Sequence, residues 1–122
     1  MKQLLIVEDD RWLAEAIGQA FDKKIFKIHT ASSAHAALPL IDSRQIDLVL
    51  LDIFLPRANG LQLLQEFKTH ADSQRLPVVV VSASSQQLEV KDLAHLGVVA
   101  IIDKASLEPG VLKDTVNRVL KL

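Results

Sequence analysis

The stretch LLIVEDDRWL, residues 4–13, sets four apolar residues directly before Glu8, Asp9 and Asp10. Its apolar part shows no alternation, which is the pattern of a strand covered on both faces. Two more runs of the same kind follow, Leu48–Leu51 and Val78–Val81. Reading outward from them predicts strands over Gln3–Val7, Phe26–Thr30, Ile46–Leu51, Pro77–Ser82 and Val98–Ile102.

Segments with a 3.6-residue period lie between these runs. Leu13, Ile17, Ala20 and Phe21 form one apolar stripe; Ala34, Ala37, Leu38 and Ile41 form another. Leu61, Leu64 and Phe67 suggest a third helix. Leu112, Val116, Val119 and Leu120 mark the last, which starts near Ser106–Pro109. Gln86–Leu96 is less regular, but Gly97 is well placed as a left-handed cap. Pro39 falls inside the second helix and is expected to kink or shorten it, because it lacks the amide hydrogen. Strands alternating with helices in this way predict an α/β sandwich with a parallel sheet.

The chain has 122 residues, 49% of them hydrophobic, and a mean hydropathy of +0.23. That supplies one domain, 1–122, with a sizeable core and argues against disorder. No apolar run approaches the roughly 20 residues of a membrane span, and the N-terminal run lacks the form of a signal peptide. The absence of cysteine excludes disulfides and thiolate metal sites and fits a cytoplasmic protein. A net charge of −1 provides no field for nucleic acid, so direct binding to it is not expected. There is no phosphate-cradling glycine loop. The four histidines, His29, His35, His70 and His95, lack metal spacing and are expected at the surface.

In open parallel sheets, ligands sit beyond the carboxyl ends of the strands, where strand order reverses. Glu8, Asp9 and Asp10 follow the first strand, Asp52 ends the third, Ser82 ends the fourth, and Lys104 follows the fifth. Strands must end in polar residues somewhere, so any one of these alone says little. Together they form a chemical set. Two carboxylates at 4 Å repel by about 4 kcal/mol at an effective dielectric near 20. A hard divalent cation removes that cost, and Mg²⁺ takes one or two carboxylates while leaving positions for water and phosphate oxygens. A carboxylate, a cation, a lysine and a hydroxyl are the parts needed to place a phosphoryl group on the carboxylate.

With these residues in view, the whole chain resembles the receiver domain of two-component response regulators, the CheY-like family. LIVEDD resembles the family's acidic-pair strand, with the pair at Glu8 and Asp9. LVLLDIFLPRANG resembles the phosphoacceptor motif, with Asp52 as acceptor and Pro56, Asn59 and Gly60 in their usual places. VVVVSA resembles the strand ending in the switch hydroxyl, Ser82, and GVVAIIDKA the segment that carries the lysine, Lys104. The resemblance implies a flavodoxin-like (βα)5 fold with strand order 2-1-3-4-5. It implies Mg²⁺ held by Asp9, Asp52, the backbone carbonyl of Phe54 and, largely through water, Glu8. It further implies phosphoryl transfer to Asp52 from a histidine kinase or a histidine phosphotransfer protein, after which Ser82 and Lys104 engage the phosphate. The output partner or domain is unspecified, and a homodimer through the fourth helix, fifth strand and fifth helix belongs to the same expectation. Such a domain phosphorylates and dephosphorylates itself rather than turning over as an enzyme.

The chain departs from the family at two positions. Ala105 stands where proline usually follows the lysine, and Ile101 stands where an aromatic residue usually reports phosphorylation. Transmission through the usual face must then differ. Ile101 with Val98 and Val99 forms either a standing hydrophobic patch or part of the core. Phe54 and Ser84, two residues after Asp52 and Ser82, occupy positions that tune hydrolysis; a bulky Phe54 implies slow self-dephosphorylation. Trp12 either shields the site or covers the start of the first helix. Arg57 and the Lys23-Lys24 pair carry no assigned role beyond a loop and a solvated helix end.

Two other functions compete. A hydrolase of the haloacid dehalogenase kind needs a second Asp two residues after the nucleophile, and Phe54 holds that place. A degenerate receiver, acting as a phosphorylation-independent binding module, is favoured by Ile101 and Ala105 and opposed by the intact Asp9, Asp52, Ser82 and Lys104.

Overall fold

The computed structural model describes residues 1–43, 45–52, 64–66, 76–82 and 89–122. Strands β1 (Lys2–Val7), β2 (Phe26–Ala31), β3 (Leu48–Asp52), β4 (Val78–Ser82) and β5 (Val98–Asp103) form one sheet. Its order is β2-β1-β3-β4-β5 and every adjacent pair is parallel, as the resemblance implied. Helices α1 (Arg11–Gln19) and α2 (Ala34–Ser43), a helical turn α3 at 64–66, α4 (Val90–Leu93) and α5 (Pro109–Leu120) occupy the connections. Among the described residues no helix is long and apolar enough to cross a membrane.

The continuous apolar runs are explained by two cores, one on each face of the sheet. Leu5, Val7, Val49, Leu51, Val78 and Val80 point to a core that takes in Ala37 and Ile41 of α2, Leu64 of α3 and Leu93 of α4. Leu4, Ile6, Leu48, Leu50 and Val79 point the other way, to Ala14 and Ile17 of α1 and Leu112 and Val116 of α5. Every residue of β3 and β4 is buried. Successive strand side chains face opposite ways, so a strand with helices on both sides cannot afford a polar residue until its end.

The helix boundaries follow local chemistry. The Asp10 carboxylate accepts the backbone N–H groups of Trp12 and Leu13, at 3.0 and 3.2 Å, and starts α1. That helix stops at Gln19, so Ala20 and Phe21 of the apolar stripe lie just past it, and both are buried. Pro39 does not end α2, which continues to Ser43, where the hydroxyl donates to the Pro39 carbonyl at 2.8 Å. Pro109 opens α5, where its missing N–H costs nothing. Gly97 adopts φ +89° after a short 3-10 turn, and a Cβ there would lie 3.3 Å from the Leu76 carbonyl oxygen. The left-handed cap read from the sequence is present.

The β4–β5 pairing is irregular at one point. Val78 pairs with Val98 but Val79 pairs with Ala100, so Val99 is an extra residue on β5. Beyond this bulge, Ile101 pairs with Val80 and lies against the same core as Val80, the one shared with α2 and α4.

β1 lies between β2 and β3, so the chain leaves β1 toward one side and returns to its other side. The reversal of strand order therefore falls between the carboxyl ends of β1 and β3. Glu8 and Asp52 stand there.

Candidate functional site

Glu8 continues the β1 ladder by one residue, its N–H donating to the Ala31 carbonyl at 3.0 Å. This fixes the Glu8 side chain inward, where it is 4% exposed, while Asp9 is solvent-exposed at the rim. Asp52, the last residue of β3, is likewise buried. Glu8, Asp9 and Asp52 each offer a carboxylate oxygen, and these oxygens lie within 4.8 Å of one another. The three acids after β1 therefore divide their work. Glu8 and Asp9 join Asp52, whereas Asp10 turns away and caps α1. Sequence reading missed this role of Asp10, although an Asp directly before a helical period is a recognisable start signal.

Lys104 follows β5 and reaches across the mouth. Its Nζ donates to Asp52 Oδ2 at 2.8 Å and lies 3.6 Å from Glu8 Oε1. Burial pulls the Lys104 ammonium down, but the hydrogen bond and charge of Asp52, with Glu8 behind them, outweigh it and the pKa is raised. Ser82 ends β4 next to this group and is buried. Thus Glu8, Asp9, Asp52 and Lys104 are brought together, with Ser82 at the neighbouring strand end. Phe54 and Ser84 lie outside the described residues, as do Pro56, Arg57, Asn59, Gly60 and His70.

Glu8 carries the electrostatic cost. Its Oε2 accepts the Asp10 N–H at 3.2 Å, but its buried Oε1 has no hydrogen-bond partner among the described residues. Burial first, then the neighbouring Asp52 and Asp9 carboxyls, push its pKa up to about 8 against the lowering effect of the Asp10 amide. A buried carboxylate oxygen without a hydrogen bond, facing two further carboxylates, is part of an oxygen-only donor set. It suits a hard divalent cation and offers nothing to a soft one.

The positions that departed from the expected pattern resolve in different ways. Ile101 is half-buried against the core, Val98 is 2% exposed and Val99 is 47% exposed. The three do not make a patch; only the bulged Val99 is open. Trp12 is 82% exposed, so it neither shields the acids nor covers the helix. His35 and His95 are exposed, while His29 is half-buried with its ring nitrogen 2.9 Å from Gln3 Oε1. Lys23 curls back to donate to the Gly18 carbonyl. Lys104, Ala105 and Ser106 form a 3-10 turn without a proline.

Comparison with known proteins agrees with this geometry. Residues 4–117 match the response regulator receiver domain family. The transcriptional regulatory protein MalR of Bacillus subtilis is 36% identical over 107 residues, which is 85% of this chain and 44% of MalR. The chain thus spans less than half the length of such regulators. Its fold is that of a CheY-like receiver domain from Methanospirillum hungatei, with a TM-score of 0.81, 24% identity, and coverage of 99% of this chain and 94% of the other. The response regulator TrrA of Thermotoga maritima, solved in complex with Mg²⁺ and BeF, superposes with a TM-score of 0.79 at 26% identity, covering 98% and 99% of the two chains. With four strand ends delivering Glu8, Asp9, Asp52, Ser82 and Lys104 to one place, the chain belongs to the receiver domains of two-component response regulators.

Proposed function

We propose that Asp52 accepts a phosphoryl group from the phosphohistidine of a histidine kinase or phosphotransfer protein, with Mg²⁺ as cofactor. The observation that supports this is the convergence of Lys104 and two further carboxylates on the Asp52 side chain. In the transfer, an Asp52 oxygen forms the bond to phosphorus as the phosphorus–nitrogen bond breaks and the imidazole leaves with that electron pair. Asp9, Asp52 and the Phe54 carbonyl would hold Mg²⁺ and Glu8 would support it, largely through water. The cation supplies neutralisation of charge on the phosphoryl oxygens. Once the Asp52 carboxylate becomes an acyl phosphate and loses its charge, Lys104 exchanges that ion pair for a phosphoryl oxygen. The Ser82 hydroxyl donates to another, drawing the chain after β4 inward.

The reaction consumes the acceptor, so the domain acts as a switch rather than a turnover enzyme, and a cytoplasmic location follows from its donors. The output partner, or a second copy, would meet the α4–β5–α5 face, where Val99 and Val111 are exposed. Phe54 makes hydrolysis of the acyl phosphate slow.

Incubation with Mg²⁺ and acetyl phosphate, followed by intact mass measurement, tests this reading. A gain of one phosphoryl group, abolished in Asp52→Asn, is expected. No gain at millimolar donor, with no response to beryllofluoride, would leave the chain as a phosphorylation-independent binding module.

A further inference from the structure

β5 runs one residue beyond its apolar core and ends at Asp103, which pairs with Ser82. Asp103 keeps extended backbone, φ −69° and ψ 130°, and the chain then bends at once into the Lys104–Ser106 turn. Lys104 is the first residue of that turn. Its Cα direction is set by where the extended backbone breaks. A side chain holds the break: Asp103 Oδ1 accepts the Ala105 N–H at 2.9 Å. Proline at 105 would lack that donor, so this bond requires a residue other than proline there.

We propose that Asp103 is a positioning residue for Lys104: its carboxylate, by fixing the turn through the Ala105 amide, delivers the lysine ammonium to Asp52. Lysine has a long flexible stem and loses much rotamer freedom when its tip is fixed. A rigid point of departure reduces what must be lost on binding. Asp103 lies outside the acid cluster of Glu8, Asp9 and Asp52, so its effect passes through Lys104 and not through the cation. The inference rests on the phosphoacceptor reading and deepens it.

The test compares Asp103→Ala, Asp103→Asn and Asp103→Glu with the parent chain, measuring Mg²⁺ affinity and then beryllofluoride affinity at saturating Mg²⁺. Asp103→Ala should weaken beryllofluoride about fivefold, the effect of one lost cap, and leave Mg²⁺ affinity within about twofold. Asp103→Asn keeps the acceptor and should restore the parent value. Asp103→Glu keeps the charge but misplaces the acceptor, and should behave like Asp103→Ala. It also serves if Asp103→Ala does not fold. Parent affinity in Asp103→Ala or Asp103→Glu overturns the proposal, as does equal weakening in Asp103→Asn or a parallel loss of Mg²⁺ affinity.

A parent chain that ignores beryllofluoride refutes the phosphoacceptor reading instead. The positioning role is then decided by unfolding free energies without metal. Lys104→Met should cost less in an Asp103→Ala background, and strict additivity overturns the proposal.

Discussion

The Lys104 ammonium and the Asp52 carboxylate, 52 residues apart in the chain, meet at 2.8 Å. Glu8 Oε1 lies 3.6 Å from the same ammonium. One positive charge thus serves two buried carboxyls, which makes Lys104 a stabilising partner of both and, under the proposed function, a ligand for the phosphoryl group.

Lys104→Met separates those roles. It leaves Glu8 and Asp52 facing each other without a counter-charge, and the partial exposure of Lys104 tempers the cost. Denaturant unfolding without metal should show a loss of about 1–3 kcal/mol. Mg²⁺ binding should persist or tighten, because the competing cation is gone, while phosphoryl uptake from acetyl phosphate should fall at least tenfold.

Glu8 makes stability depend on pH. Its folded pKa, about 8, lies above the ordinary value of 4.5, so the folded state keeps a proton that the unfolded state releases. Stability is therefore highest below pH 4.5 as far as this group is concerned, and falls as pH rises toward 8. The fall should be on the order of 3 kcal/mol. Glu8→Gln should flatten that part of the profile, measured as unfolding free energy from pH 5 to 9 without metal. An unchanged slope would show that Glu8 ionises normally.

Cation binding should follow the opposite trend. Mg²⁺ must displace the Glu8 proton, so its affinity should rise with pH up to about 8. At ten to a hundred times its dissociation constant, Mg²⁺ should stabilise the fold by roughly 1.5–3 kcal/mol. A melting temperature indifferent to Mg²⁺ and to EDTA would refute the metal site.

The neighbouring acids Asp9 and Asp10 should respond in opposite ways. Asp10→Ala removes the α1 cap and should cost about 1 kcal/mol of stability while leaving Mg²⁺ affinity unchanged. Asp9→Ala, at an exposed position, should barely alter metal-free stability and should weaken Mg²⁺ at least tenfold. Calorimetry with paired denaturant melts distinguishes the two.

Much of this molecule was legible in the chain. Strands covered on both faces must be apolar throughout, so β1, β3 and β4 announce themselves without any knowledge of their neighbours. The first polar residue after each run marks the strand's open end. Asp52 and Ser82 stand at such ends, Lys104 lies one residue beyond the first polar residue after the apolar run of β5, and Gly97 was recognisable because a left-handed cap suits that place.

Other features depend on pairing between distant segments, which no local pattern encodes. Glu8, Asp9 and Asp10 look alike in sequence; which of them turns toward Asp52 is settled by the β1–β2 ladder that orients Glu8 and by the helix that claims Asp10. Val98 to Ile102 likewise reads as a uniform run. The extra residue opposite β4 bulges Val99 into solvent and sends Ile101 to the α2–α4 core. A one-residue change of register exchanges the faces of a strand, and register belongs to the assembled sheet.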